Sequence, residues 1–127
     1  MKVKGFVIFS LITMPLFGSL PELLENEMTE AESAMSDLFL SEIDQKKLEQ
    51  TIGQFKEVLG KVSKKYPKGY RNSLELSRDE KLEIMSLETD LQFLEECSEY
   101  LLGGPKTKDV EEWEKTTYGY VYLDQVR

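Results

Sequence analysis

The sequence predicts a mainly α fold, a small bundle of three to four helices, on three observations. Apolar residues recur in steps of three and four over most of residues 20–101, the spacing that lines one face of a 3.6-residue helix. Cap and stop residues punctuate that pattern where helices would begin and end. At 127 residues the chain has the size of one domain, because its halves would be too small to bury stable cores.

Ser19, Pro21 and Glu22 read as a helix start, with a hydroxyl cap, an early proline and a glutamate three residues on. Leu20, Leu23, Leu24, Met28, Ala31, Ala34, Met35, Leu38 and Phe39 then share one face, predicting a helix over about 20–40. Ser41 offers the next cap, with Asp44 three residues later. Ile43, Leu48, Ile52, Phe55, Val58 and Val62 carry a second stripe, which Pro67 and Gly69 end. Gly53 and Gly60 each weaken that helix by about 1 kcal/mol relative to alanine, unless a neighbouring element packs closely there.

The third helix has the strongest signals. Ser77 and Glu80 are spaced as a capping box. Ile84, Leu87, Leu91, Leu94, Ser98 and Leu101 follow in phase, widened by Met85 and Phe93, and Gly103, Gly104 and Pro105 stop the run. Thr107 caps a short helix through Val110 and Trp113, ending near Thr116. The tail over 117–123 has strand character, with Tyr118, Tyr120 and Tyr122 on one side and Gly119, Val121 and Leu123 on the other. Residues 2–9, rich in valine, isoleucine and phenylalanine, would pair with it as a two-stranded ribbon that the helices support.

Residues 1–18 carry two readings. Lys2 and Lys4 precede an apolar run, the order of a secretory signal. The run is short and interrupted by Pro15, which disfavours a stable membrane span. Leu16 and Phe17 stand where a cleavage site wants small residues. The retained reading, a strand or apolar arm completing the domain in the cytoplasm, is therefore preferred over a secreted or envelope-associated one.

Composition narrows the chemistry. The chain has one cysteine, Cys97, and no histidine, so a disulfide framework, a Cys–His zinc site and a histidine-based nucleophile are all excluded. No catalytic, cofactor-binding or metal-ligating set is predicted. Adjacent carboxylates such as Glu95 and Glu96 point in different directions on a helix. Glu88 and Glu95 lack the Glu-x-x-His partners of a di-iron bundle. An enzyme of unrecognised type, built from carboxylates and tyrosines, stays as the least favoured alternative.

The net charge of −8 comes in blocks. Residues 19–45 hold eight acids and no base, and residues 74–100 hold nine acids against Arg78 and Lys81. Residues 56–71 run the other way, with a local net of +5. Such a chain repels a duplex phosphate backbone and attracts a basic surface. The predicted function is accordingly to bind and occlude a basic partner such as a nuclease or toxin, in the manner of an immunity protein, antitoxin or phage-encoded inhibitor. Glu25, Glu32, Glu88, Glu95 and Glu99 are the predicted acidic contacts, and Tyr118, Tyr120 and Tyr122 the aromatic ones. Glutamates also simply solubilise helices, and aromatic residues often finish a small core. The basic segment with Lys61, Lys64, Lys65, Tyr66, Lys68, Tyr70 and Arg71 has the composition of an anion or single-strand site, though lysines at a helix end also complement its dipole. Pairing of that segment with the acidic helices of a second copy leaves homo-oligomers open.

Overall fold

Proline at position 21 occupies the N-cap of the first helix, α1, which spans Glu22–Leu40 in the computed structural model. The structure describes residues 20–126. Both readings of residues 1–18, the strand expected over 2–9 and the Ser19 cap lie outside them. What anchors this end is Leu20: it is buried, and its N–H donates to Glu80 Oε2 at 2.7 Å. The second helix, α2, spans Gln45–Lys65 and is capped by Asp44, whose carboxylate accepts the Lys47 N–H, rather than by Ser41. A single 3₁₀ turn, Tyr70–Asn72, follows. The third helix, α3, covers Arg78–Glu96 behind the predicted Ser77–Glu80 capping box. Three short helices complete the order: α4, Ser98–Leu101; α5, Lys108–Glu114; and α6, Thr117–Gln125.

Side chains buried at alternating steps of three and four explain the packing. Leu24, Met28, Ala31, Met35 and Leu38 of α1 meet Leu48, Thr51, Phe55, Val58 and Val62 of α2 in one core. The short 41–44 connection makes these neighbours antiparallel, and Lys61 near the end of α2 reaches Glu27 near the start of α1 at 2.8 Å. Thr51 joins the core without an unmet hydroxyl, because its Oγ1 donates to the Lys47 carbonyl at 2.9 Å. Helix α3 returns along α2, with Lys56 at 3.0 Å from Glu95 and the Tyr70 hydroxyl at 2.7 Å from Glu88. It is thereby parallel to α1. Gly53 and Gly60 are exposed and no neighbour crowds them, so close packing is not what their presence in α2 reflects.

The α3 stripe sits slightly differently from the sequence expectation. Ile84, Leu87, Asp90, Phe93, Leu94 and Cys97 are buried, while Leu91 and Ser98 are only half-buried. The helix breaks at Cys97 (φ −106°, ψ 15°) before the single turn of α4. Gly103, with φ +95°, then turns the chain in a conformation that other residues rarely adopt. Burial, and then the nearby Glu96 and Asp109 carboxylates, push the Cys97 thiol up to about 12.

The tail corrects the sequence reading. Residues predicted as a strand form α6, and no strand occurs among the described residues, so the expected ribbon lacks its second member. Thr116 decides the matter locally: its Oγ1 accepts the Gly119 N–H at 2.9 Å and caps a helix. The aromatic pattern is also served by a helix. Tyr118 and Tyr122 are four apart and stack at 6.2 Å between centroids. Tyr122 then packs against Phe93 at 4.5 Å, near Phe39 and Trp113, closing the end of the bundle with aromatic rings. A two-residue repeat in a short apolar tail does not separate strand from helix once the burial partner lies on one side only.

Candidate functional site

Two helices that run parallel with acidic residues seven apart bring those residues into facing rows. Seven residues are close to two helical turns, so Glu25 and Glu32 of α1 lie on one face, as do Glu83 and Asp90 of α3. The rows interact across the α1–α3 seam. Glu32 is half-buried, and burial, then Glu83, then Asp90 hold its carboxyl above the usual carboxylate range. Glu83 is raised in the same direction by burial, then Glu25 and Glu80. Asp90, at 8% exposure, is raised by burial and pulled part of the way back by the Tyr122 hydroxyl that donates to it. Tyr122 in turn is pushed strongly upward, by burial first and then by its bond to Asp90.

No lysine or arginine pairs with these four carboxylates among the described residues. Six acids elsewhere form ion pairs among the described residues. Glu27 and Glu57 meet Lys61, Glu95 meets Lys56, Glu88 meets Arg71, Glu112 meets Lys115 and Glu114 meets Lys106. Most of these pairs are exposed and contribute little to stability, but they neutralise the surface locally. None of these pairs lies on the seam, where partly buried acids face one another instead.

The predicted contacts therefore divide. Glu25 and Glu32 belong to the seam. Glu88 and Glu95, also seven apart, lie about 140° further around α3 by helical geometry and face α2 and the Tyr70 turn. Glu99 is exposed on α4, near the far end of the bundle. Tyr118 and Tyr120 are exposed at 56% and 68%, whereas Tyr122 is turned inward to Asp90 and Phe93. The structure thus does not gather the eight residues into one patch. Glu83 and Asp90, absent from the predicted set, are the members of the seam that sequence reasoning missed. The signal was present in Asp90 itself, a charged residue three positions after Leu87 and three before Phe93, inside an apolar stripe.

Raised carboxyl groups give stability a definite pH dependence. An acid that holds its proton more tightly when folded adds stability when protonated. That contribution is complete below the ordinary range of about 4 and is lost as pH rises through the folded values. Tm is expected to rise as pH falls from neutrality towards the ordinary carboxylate range, because the raised groups of Glu32, Glu83 and Asp90 take up protons sooner in the folded chain than in the unfolded one. Paired Glu32→Gln and Asp90→Asn substitutions should flatten that rise. A wild-type Tm that falls monotonically over the same interval would contradict the seam's electrostatics.

No group of three histidine, cysteine or acidic side chains is placed to hold a metal among the described residues. No helix among them is long and apolar enough to cross a membrane. No protein-family model matches the chain, and no curated protein and no solved structure is similar to it.

Proposed function

We propose that the domain is a protein-binding module that docks a basic partner surface on the α1–α3 seam and acts by occluding it. The observation that carries this reading is the facing of four acids with no ion pair: burial and neighbouring carboxylates hold Glu32 and Glu83 above the usual range, burial does so for Asp90, and no lysine or arginine pairs with these three or with Glu25 among the described residues. A lysine or arginine from a partner would meet Glu32, Glu83 and Asp90 already partly desolvated, and its charge would favour their ionised form. The net charge of −8 extends the attraction beyond contact and steers encounter. Partners of this chemistry include basic nucleases and toxins, for which the module would serve as an immunity protein, antitoxin or inhibitor. Tyr118 and Tyr120, exposed on the neighbouring α6, supply aromatic area of the kind that anchors such interfaces.

The test is capture of partners from the native host by full-length protein, at low and high salt, followed by affinity measurement on variants. Binding of a basic protein at low salt, weakened at high salt, is expected. The Glu25→Lys/Glu83→Lys double variant should lose at least about tenfold in affinity, the scale of disrupting a close charge pair. Glu88→Lys/Glu95→Lys, which alters acids of another face, should change it far less. Equal loss from both pairs, or none from the first, would remove the seam as the contact surface.

A further inference from the structure

The basic segment that the acidic seam does not use folds around a cleft. Between the last turns of α2 and the 3₁₀ turn at Tyr70 lies an opening of about 350 Å³, within the size range of small-molecule sites. Leu59, Val62, Tyr66 and Pro67 give it apolar walls, and Arg71 and Glu88 give it a polar one. We propose that this cleft binds a small amphipathic anion, an aromatic or branched carboxylate, with its apolar body against α2 and its charge on Arg71.

The polar wall is organised before any ligand arrives. The Tyr70 hydroxyl donates to Glu88 Oε1 at 2.7 Å and accepts from Arg71 Nε at 3.2 Å. Arg71 Nη2 lies 3.4 Å from the same Glu88 oxygen, and the guanidinium sits over the Tyr70 ring at 5.6 Å. These contacts fix the plane of the guanidinium while its Nη1 makes no hydrogen bond among the described residues. An arginine held in this way keeps donors in a fork that matches a carboxylate. Gly69, at φ +96°, makes the turn that brings Tyr70 and Arg71 back towards α2.

Arg71 and Glu88 are the charged residues that line the cleft, and the unused donors of Arg71 favour an anion. Glu88 is an acid in the wall, but its charge is met by Arg71 and by the Tyr70 hydroxyl. Lys64, Lys65 and Lys68 interleave in sequence with the lining residues Ser63, Tyr66, Pro67 and Gly69, are exposed, and form no ion pair among the described residues. Residues 56–71 carry a local net of +5, set against the Glu75, Glu80 and Glu88 carboxylates that act on Tyr66 and Tyr70. The α2 carbonyls at its C-terminal end oppose an anion, which is why the site calls for direct contact with Arg71, attraction from these lysines outside the cleft and an apolar body that gains from burial.

The experiment titrates full-length protein with 2-naphthoate, with its neutral analogue 2-naphthamide and with inorganic phosphate, and follows backbone amide shifts by NMR. Naphthoate should saturate with shifts concentrated at residues 59–72 and 88, and bind at least tenfold more tightly than either comparator. Arg71→Gln, at an exposed position that should leave folding intact, is expected to weaken naphthoate by about tenfold, and Lys64→Ser/Lys65→Ser/Lys68→Ser to reduce its salt dependence. Equal binding of naphthamide, equal binding of phosphate, shifts scattered over the surface or an unaffected Arg71→Gln variant would each overturn the proposal. The seam variants Glu25→Lys/Glu83→Lys should leave naphthoate affinity unchanged, so this site and the partner-docking reading fail independently.

Discussion

Phe93→Ala is expected to cost about 3–5 kcal/mol of unfolding free energy, the range for removing a buried phenylalanine. Domains of this size have only about 5–15 kcal/mol in total, so the variant would be near its unfolding limit. The reason lies in what the ring touches. Phe93 is fully buried and meets Phe39 and Trp113 edge-on at 6.4 and 5.3 Å, and Tyr122 at 4.5 Å. Those partners come from α1, α5 and α6, so one side chain of α3 joins the long helices to both short C-terminal ones. Its removal leaves a cavity between elements, which can collapse only if α5 and α6 move. Urea unfolding would measure the loss, and Phe93→Leu should recover most of it by refilling the volume. A cost below about 1 kcal/mol would show that the aromatic end contributes little to the fold.

Gly119→Ala is expected to unseat α6. A Cβ at Gly119 would overlap the Trp113 carbonyl and lie 2.9 Å from Thr116 Oγ1, the two atoms against which the helix start is pressed. Backbone conformation is not the obstacle, since Gly119 is not among the glycines with positive φ. The obstacle is space, and the crowding atom belongs to main chain that cannot rotate away. Overpacking of this kind costs about 1–3 kcal/mol, and here it would separate Tyr122 from Asp90 and Phe93 as well. Loss of the Tyr122 contacts by NMR, with a lowered Tm, is the expected result. Gly60→Ala is the matched comparison: no atom lies within 4 Å of the added methyl, and it stands inside α2, where alanine gains about 1 kcal/mol over glycine. If both substitutions stabilise the protein, the seating of α6 on Trp113 is wrong.

Where local chemistry decided structure, it was legible. The Ser77–Glu80 box, the Thr107 cap and the Gly103 stop are short-range devices, and each stands where the residue pattern placed it. The three long helices follow from their apolar spacing. The tail was not legible in the same way, because Tyr118, Tyr120 and Tyr122 satisfy a two-residue repeat and Tyr118 and Tyr122 equally satisfy a four-residue one. The choice between them came from tertiary burial against Phe93, which no local pattern encodes. The site followed the same division. Glu25 and Glu32 stood among the predicted acidic contacts, but whether they face Glu83 and Asp90 or Glu88 and Glu95 depends on how α3 is rotated about its axis. That rotation is set by Leu87, Phe93 and Cys97 being buried together.

The placement of Cys97 has a consequence for how the folded chain ages and how its opening can be timed. The sulfur is fully buried at the joint between α3 and α4, and its thiol is pushed up to about 12. The thiolate is the reactive form, so at neutral pH this group has neither the charge state nor the access to react with oxidants or alkylating reagents. Disulfide-linked dimers should therefore form from opened molecules and not from native ones. Since the chain has no other cysteine, the rate at which a thiol reagent modifies the protein becomes a direct clock on its excursions out of the native state.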